Sequence, residues 1–179
     1  FPWIEDLSSK RLINLLYNYE YINSSSKLID KKKLDKIIFI HMQRVQFDFN
    51  TKKINEISSF DIVSFLLSSL ILKKFNTNKI HYIKFIAENQ IDKLGMHKSY
   101  NILEHSKFIN NLNEMKNVLL FFDIKELDTF DQLILKTTSV LNQYFHADGS
   151  FPLFNGTNNI YTKIINETIN KETYLKKRD

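Results

Sequence analysis

Apolar residues recur at helical spacing along most of this chain. Leu12, Leu15, Leu16 and Tyr19 follow the i, i+3, i+4, i+7 spacing of a single helical stripe. Similar stripes occur in further segments, separated by short polar stretches. The pattern therefore predicts seven helices, over residues 9–22, 27–49, 58–75, 78–93, 104–122, 129–146 and, more weakly, 158–175.

Two of these helices begin with a capping-box pattern. Ser58 is followed by Asp61 at the third position, and Thr129 is followed by Gln132. The segment after Ser58 is apolar nearly all round, which predicts a helix buried between others. We expect the core to include Phe65, Leu66, Leu70, Phe108, Leu112, Leu119, Ile134 and Leu141. His41 and His81 lie inside predicted helices, where we expect them to be packing residues.

The scarcity of turn residues decides the fold class. The 179 residues include three glycines and two prolines, whereas a sandwich or barrel needs turn residues at short, regular intervals. Long helices joined by short loops become antiparallel neighbours. The sequence therefore predicts an all-α fold of antiparallel helical hairpins. No repeat of tetratricopeptide or HEAT type is found.

Composition narrows the function classes. Hydrophobic residues make up 43% of the chain, enough for a core, and the absence of cysteine excludes disulfides, thiol catalysis and zinc–thiolate sites. The longest uncharged apolar run, 62–72, is shorter than the roughly 20 residues that span a bilayer. The net charge is +5, but lysines alternate with acids instead of clustering. We therefore expect neither a nucleic-acid partner nor a membrane span.

Candidate chemistry concentrates near the glycines. Residues 89–105 contain His97, Tyr100, Asn101 and His105 around Gly95. A second polar group, in residues 145–159, contains His146, Asp148 and Asn155. The sequence has no His-Glu-x-x-His motif, Gly-rich phosphate loop or nucleophile elbow, so we expect no metal site and no cofactor in this chain.

Both segments resemble the heparinase II/III-like family of polysaccharide lyases. A bacterial branch of that family has a loop Gln-x-x-x-Asp-Gly-x-His-x-Ser-Arg-Asn-Pro-x-x-His, then a segment His-x-Asp-Gly-x-x-x-x-Phe-Asn-Gly. The loop is matched by Gln90, Gly95, His97, Ser99, Asn101 and His105, and the later segment by His146, Asp148, Gly149, Phe154, Asn155 and Gly156. An opening helix with Trp3 and residues 9–14 is also similar. The chain departs from the pattern at Leu94, Tyr100, Ile102 and Glu104.

The resemblance implies an architecture for the complete protein. Residues 1–150 would form part of an N-terminal α/α toroid, and residues 151–179 an exit segment leading to a C-terminal β-sandwich. The first residues, which include no initiator Met, look like a cut from a longer chain. The resemblance also implies eliminative cleavage of an anionic, uronic-acid-containing polysaccharide. A periplasmic or cell-envelope location would follow.

Elimination requires neutralisation of the uronate carboxylate, a base for the C5 proton and an acid for the leaving oxygen. We expect His97, Tyr100, Asn101 and His105 to supply these roles, with Gln90, Ser99, His146 and Asn155 binding substrate. Two alternatives remain open. One is a non-catalytic helical module that binds a glycan or a protein. The other is a glycoside hydrolase, which needs two facing carboxylates, and the loop offers Asp92 and Glu104.

Overall fold

The computed structural model describes residues 6–24, 28–124, 128, 130–144, 146 and 152. Helix accounts for 77% of this described part, which contains no strand, so the predicted all-α class is confirmed. The predicted helix 158–175 and, apart from Pro152, the predicted exit segment lie outside it. The helices are α1 (Leu7–Tyr17), α2 (Tyr19–Ser24), α3 (Leu28–Thr51), α4 (Ser59–Ile71), α5 (Thr77–Glu88), α6 (Ile102–Phe121) and α7 (Asp131–Gln143), with a 3₁₀ turn at Ile54–Glu56.

The chain divides into two compact units, residues 1–83 and 84–179. In the first unit α4 packs against α1 and α3, which also contact each other. Most of α4 is buried, as its apolar sequence predicts. Its capping box is confirmed: Ser58 Oγ accepts a 3.2 Å hydrogen bond from the Asp61 N–H, and the Asp61 carboxylate accepts one of 3.0 Å from the Ser58 N–H.

Several buried polar groups of the first unit are paired with groups from other parts of the chain. The Asp61 carboxylate also accepts hydrogen bonds from the Ser9 hydroxyl of α1 and from Lys52 Nζ, the latter at 2.7 Å. The Gln46 side-chain amide of α3 donates to Ser68 Oγ of α4 at 2.7 Å, and to the hydroxyl of the next serine along α4 at 2.9 Å. These bonds offset the desolvation of polar groups that the apolar helix brings into the core.

In the second unit α6 packs against α7. Seven of the eight predicted core residues of the chain are buried; the exception is Ile134, which is half-buried. The buried residues of α7 include Leu133, Thr137 and Leu141, at i, i+4 and i+8. Ile134 therefore lies at the edge of the buried face, one position away from Leu133.

Several predicted helix bounds were wrong. The helix predicted over 9–22 is broken at Asn18, whose side-chain amide donates to the Asn14 carbonyl at 2.8 Å. The helix predicted over 78–93 ends at Glu88, where the loop to α6 begins. The helix predicted from residue 129 begins at Asp131, and Thr129 lies outside the described residues.

The two helical histidines differ in burial. His41 is half-buried, whereas His81 is exposed, so the expectation that His81 is a packing residue was wrong. Helical periodicity explains the error, because His81 directly follows Ile80, which faces the core.

Two helices end with a non-glycine residue in the left-handed region. Lys73 after α4 has φ 53°, and Asp123 after α6 has φ 54°. Each end closes with the bond pair of a Schellman motif; after α6, the Asp123 N–H donates to Leu120 and the Ile124 N–H to Leu119. At both helix ends the left-handed residue is strained, but its conformation lets the following N–H groups donate hydrogen bonds to the last carbonyls of the helix. Across the described residues, no helix is both long enough and apolar enough to cross a bilayer.

Candidate functional site

The loop between α5 and α6, residues 89–101, is organised by Asp92. Asp92 Oδ1 accepts hydrogen bonds of 2.9 Å from the backbone N–H groups of Leu94, Gly95 and Met96. The Asp92 N–H in turn donates to the Met96 carbonyl at 2.8 Å. This closed turn is followed by His97, which forms an isolated antiparallel bridge with Ile91.

Asp92 holds this turn as a carboxylate. Desolvation acts to raise its pKa, but hydrogen bonds from the three backbone N–H groups and from the Tyr100 side chain outweigh it, so the pKa of Asp92 lies below its ordinary value. Tyr100 itself has φ 51°, a left-handed conformation that is uncommon for a bulky side chain. The hydrogen bond from the Tyr100 side chain to Asp92 thus stabilises the loop itself.

Gly95 is required by the shape of the turn. Its φ is +103°, which side chains rarely tolerate, and a Cβ placed there would come within 2.9 Å of Lys136 Cγ. The stem of Lys136, from α7, lies against the glycine backbone. The glycine that carries the family resemblance therefore permits both the turn and its contact with α7.

His105, in the first turn of α6, is fully buried and uses both ring nitrogens. Nδ1 accepts the backbone N–H of His97 at 3.1 Å, and Nε2 donates to the Thr137 carbonyl at 2.9 Å. Because an N–H can only donate and a carbonyl can only accept, the proton of the neutral ring is on Nε2. Burial lowers the pKa of His105 despite the opposing Thr137 bond, so the ring is neutral at pH 7.

His97 presents the other imidazole of the loop, and its ring is half-buried. Nδ1 accepts the Ser99 N–H at 3.2 Å and lies 2.8 Å from Ser99 Oγ. The backbone donor makes Nδ1 an acceptor, so the neutral ring carries its proton on Nε2, which has no hydrogen-bond partner among the described residues. Burial lowers the pKa of His97, against an opposing effect of Glu104.

Asn101 starts α6. Its side-chain oxygen accepts the Glu104 N–H at 3.0 Å, and its own N–H donates to Ser99 Oγ at 3.2 Å. Asn101 is therefore an N-cap residue, three positions before the helix start predicted at residue 104. The Asn-x-x-Glu pattern of residues 101–104 is the sequence signal for this cap.

The remaining predicted site residues are more dispersed. Gln90 is half-buried, and its carbonyl accepts the Lys98 N–H at 2.9 Å. His146 is exposed, whereas Asn155 and Asp148 lie outside the described residues. The structure thus brings Gln90, His97, Ser99, Tyr100, Asn101 and His105 into one loop and its adjoining helix turn.

A cavity of about 280 Å³ lies beside the loop, lined by Asp92 together with Lys84, Glu88 and three residues of α7. Its lining does not include His97. In the described ranges, no group of three or more His, Cys, Asp or Glu side chains is placed to hold a metal ion. Comparison of the chain with protein-family models, with curated proteins and with solved structures finds no match.

Proposed function

We propose that this chain is the α/α toroid portion of a heparinase II/III-like polysaccharide lyase. In the complete protein it would take part in the eliminative cleavage of an anionic, uronic-acid-containing polysaccharide. One observation carries the proposal: hydrogen bonds around His97 join four of the six loop residues that match the family pattern, namely His97, Ser99, Asn101 and His105. The other two, Gln90 and Gly95, lie in the turn that precedes His97.

The matching residues other than Gln90 each have a distinct part in fixing His97. Gly95 allows the turn that precedes it, and His105 binds its main chain. Ser99 orients its ring and connects it to Asn101, which starts α6. A loop that only joins two helices needs no such fixation of a single side chain. A rigidly held side chain is what a catalytic or binding site needs.

The bonds around His97 favour one chemical role. In β-elimination a base removes the C5 proton, the C4–O bond breaks, a C4–C5 double bond forms, and the leaving oxygen takes a proton. With the proton on Nε2, neutral His97 donates a hydrogen bond to the uronate carboxylate or to the leaving oxygen. Acting as the base through Nε2 would move the ring proton to Nδ1 and break the bond from Ser99.

In this proposal His97 contacts the substrate, and the other predicted catalytic residues position it. Tyr100 donates to Asp92, Asn101 caps α6, and His105 is buried with both nitrogens bonded. The base for the C5 proton then comes from another part of the complete protein, such as the β-sandwich that the resemblance implies.

The experiment is an assay of the complete protein on a panel of anionic polysaccharides, following the ultraviolet absorbance of the unsaturated uronate product. We expect His97→Ala to lose at least about 10²-fold in kcat. The matched control is His81→Ala, since His81 is exposed on α5. Equal activity in the two variants would remove His97 from the mechanism.

Asn101 gives a second comparison within the same assay. Asn101→Asp keeps a side-chain oxygen for the Glu104 N–H, whereas Asn101→Ala removes the cap. If Asn101 only positions the helix, the aspartate variant retains activity. A loss of activity in Asn101→Asp with unchanged stability would instead assign the Asn101 amide a direct role.

A non-catalytic module is the second candidate function. The observation that favours it is that Tyr100, Asn101 and His105 are used in the loop's own bonds, which gives these three members of the predicted catalytic set a structural part. Such a protein would bind an anionic glycan or a protein without turnover. Saturable binding with no product on any substrate of the panel would favour this function over the lyase.

A further inference from the structure

Helix α3 has a line of exposed apolar side chains on the side away from its packed face. Ile37, Ile40 and Phe47 expose 47%, 47% and 60% of their surface. Ile40 and Phe47 are two helical turns apart, and Ile37 lies one turn before Ile40, so the three share one face of the helix. The buried residues of α3 lie on its other side; they are Leu34, Ile38, Met42, Val45, Gln46 and Phe49. The outward face of a surface helix is normally polar, so these three side chains, which we call the α3 stripe, need an explanation.

Four exposed lysines immediately precede the α3 stripe along the helix. They are Lys31, Lys32, Lys33 and Lys36. Lys33 lies 4.0 Å from the Asp30 carboxylate, in an ion pair whose two side chains are both exposed. The other three have no ion-pair partner among the described residues. Because exposed ion pairs are weak, all four ammonium groups can interact with an anionic surface.

The other acidic side chains of α3 also have partners. Asp35 accepts a 2.7 Å hydrogen bond from the Tyr19 hydroxyl, and Asp48 is paired with Arg44 at 2.9 Å. The Arg44 guanidinium also lies over the Phe47 ring, 5.6 Å from its centroid, at the C-terminal end of the stripe. The α3 stripe is therefore bordered by cations, most of all at its N-terminal end.

Apolar side chains bordered by cations match the surface of an anionic bilayer. In a helix that lies on a membrane, apolar side chains enter the boundary between headgroups and acyl chains, and lysines reach the anionic headgroups. Shape favours a bilayer over an acidic partner helix. The stripe is a ridge on the outside of a helix, whereas a partner helix is normally received by a groove. A fluid bilayer adapts to a ridge.

We propose that the α3 stripe binds the surface of an anionic phospholipid bilayer. Ile37, Ile40 and Phe47 enter the boundary between headgroups and acyl chains, and the four lysines contact the lipid phosphates. The helix lies in the plane of the membrane surface and does not cross the bilayer. This binding concerns the first unit and is independent of the proposed lyase function, whose loop belongs to the second unit.

The test is sedimentation of the full chain with vesicles of two compositions. One is phosphatidylcholine alone, and the other is an equimolar mixture of phosphatidylcholine and phosphatidylglycerol. We expect binding to the mixed vesicles to be at least about tenfold stronger than to the neutral ones, because each lysine near an anionic surface strengthens the binding. Added salt should weaken it, since salt screens exposed charges.

Two sets of substitutions locate the binding on α3. Ile40→Ser combined with Phe47→Ser removes most of the apolar stripe, and we expect binding to the mixed vesicles to weaken at least about tenfold. Lys31→Gln, Lys32→Gln and Lys36→Gln together remove charge without touching the stripe, and we expect a loss of similar size. All five side chains are exposed, so the fold should be kept, and far-ultraviolet circular dichroism checks this.

The matched controls lie outside α3. Leu135→Ser replaces an exposed apolar residue of α7. Lys74→Gln, Lys93→Gln and Lys98→Gln together remove three exposed cations from other parts of the chain. Both controls should bind the mixed vesicles as the wild type does.

Loss of binding in both α3 sets, with binding kept in both controls, would support the proposal whether or not the complete protein is a lyase. Equal loss in the two lysine sets would assign the binding to the net charge of the chain and overturn the proposal. Absence of binding to the mixed vesicles would also overturn it. In that case, a dimer of the chain that Ile40→Ser dissociates would assign the α3 stripe to a second copy.

Discussion

The backbone N–H of His97 donates a 3.1 Å hydrogen bond to Nδ1 of His105, so one histidine holds the main chain of the other. The same buried ring donates to Thr137 in α7, which lies 32 residues away along the chain. His105 therefore connects the loop, α6 and α7 through a single side chain. Its removal should affect the loop and the packing of the two helices together.

His105→Ala should lower the free energy of unfolding by about 2 to 5 kcal/mol, because the His97 N–H and the Thr137 carbonyl would lose their partner in a buried space. His105→Gln should cost less, since its amide offers an acceptor and a donor at similar positions. Urea unfolding of the full chain measures both. Equal losses would show that the two hydrogen bonds contribute little.

Stability should fall as the pH drops below about 6.5, the ordinary pKa of histidine. Burial holds the pKa of His105, and of half-buried His97, below that value in the folded state, so the unfolded chain binds more protons there. The stabilisation is therefore complete above the unfolded pKa and is lost progressively as the pH falls toward the folded pKa. Each histidine changes the free energy of unfolding by at most about 1.4 kcal/mol per pH unit. Unfolding midpoints between pH 7.5 and 4.5, roughly, should show a shallower slope in His105→Gln.

Gly95→Ala should destabilise the second unit by about 1 to 3 kcal/mol, because alanine is strained at φ +103°. Part of the loss comes from the contact with the Lys136 stem, which can move. Adding Lys136→Ala should recover that part and leave the backbone strain. Thermal unfolding of the two single variants and the double variant separates the contributions. Full recovery in the double variant would contradict the role of backbone strain.

Lys73→Gly and Asp123→Gly should each stabilise the chain by up to about 1 kcal/mol, because both residues have positive φ after the last turn of a helix. A glycine in the exposed interior of α3, as in Lys36→Gly, should cost about 1 kcal/mol instead. Chemical unfolding compares the three variants. A loss in all three would mean that glycine's added freedom in the unfolded chain outweighs the relief of strain.

Leu112→Ala should cost about 2 to 5 kcal/mol, since Leu112 is fully buried in α6. Ile134→Ala should cost distinctly less, because Ile134 is half-buried on α7. Urea unfolding of both variants tests whether burial sets the difference. A larger loss at Ile134 would place it in the core, as the sequence pattern suggests.

Local chemistry made much of the fold predictable. Helix α4 follows from an apolar run that begins at Ser58 and Asp61. Each of these two side chains accepts a hydrogen bond from the other residue's backbone N–H, which starts the helix. Asn101 shows the limit, because an asparagine before Ile102 is equally suited to a cap and to a binding site. Whether an asparagine caps a helix depends on residues within a few positions of it, and all of these can be read from the sequence.

The long-range parts of the candidate site were not predictable in this way. Spacing places His97 and His105 near one loop, but the Thr137 carbonyl that fixes the His105 tautomer lies on another helix. A backbone carbonyl also carries no sequence signal, because every residue has one. The family resemblance marked His105 as part of a site, and the structure adds which atoms it binds.

The carboxylate of Asp61 has a consequence for the order in which the first unit assembles. Its partner Lys52 is nine residues away, whereas its partner Ser9 is 52 residues away. Loop-closure entropy increases with the length of chain enclosed, so α3 and α4 can pair before α1 joins them. On the ribosome α1 emerges first, yet α4, the helix it packs against, is synthesised only after α3 is complete. Until then the part of α1 that packs against α4 stays uncovered, and only α2 and α3 are there for α1 to contact.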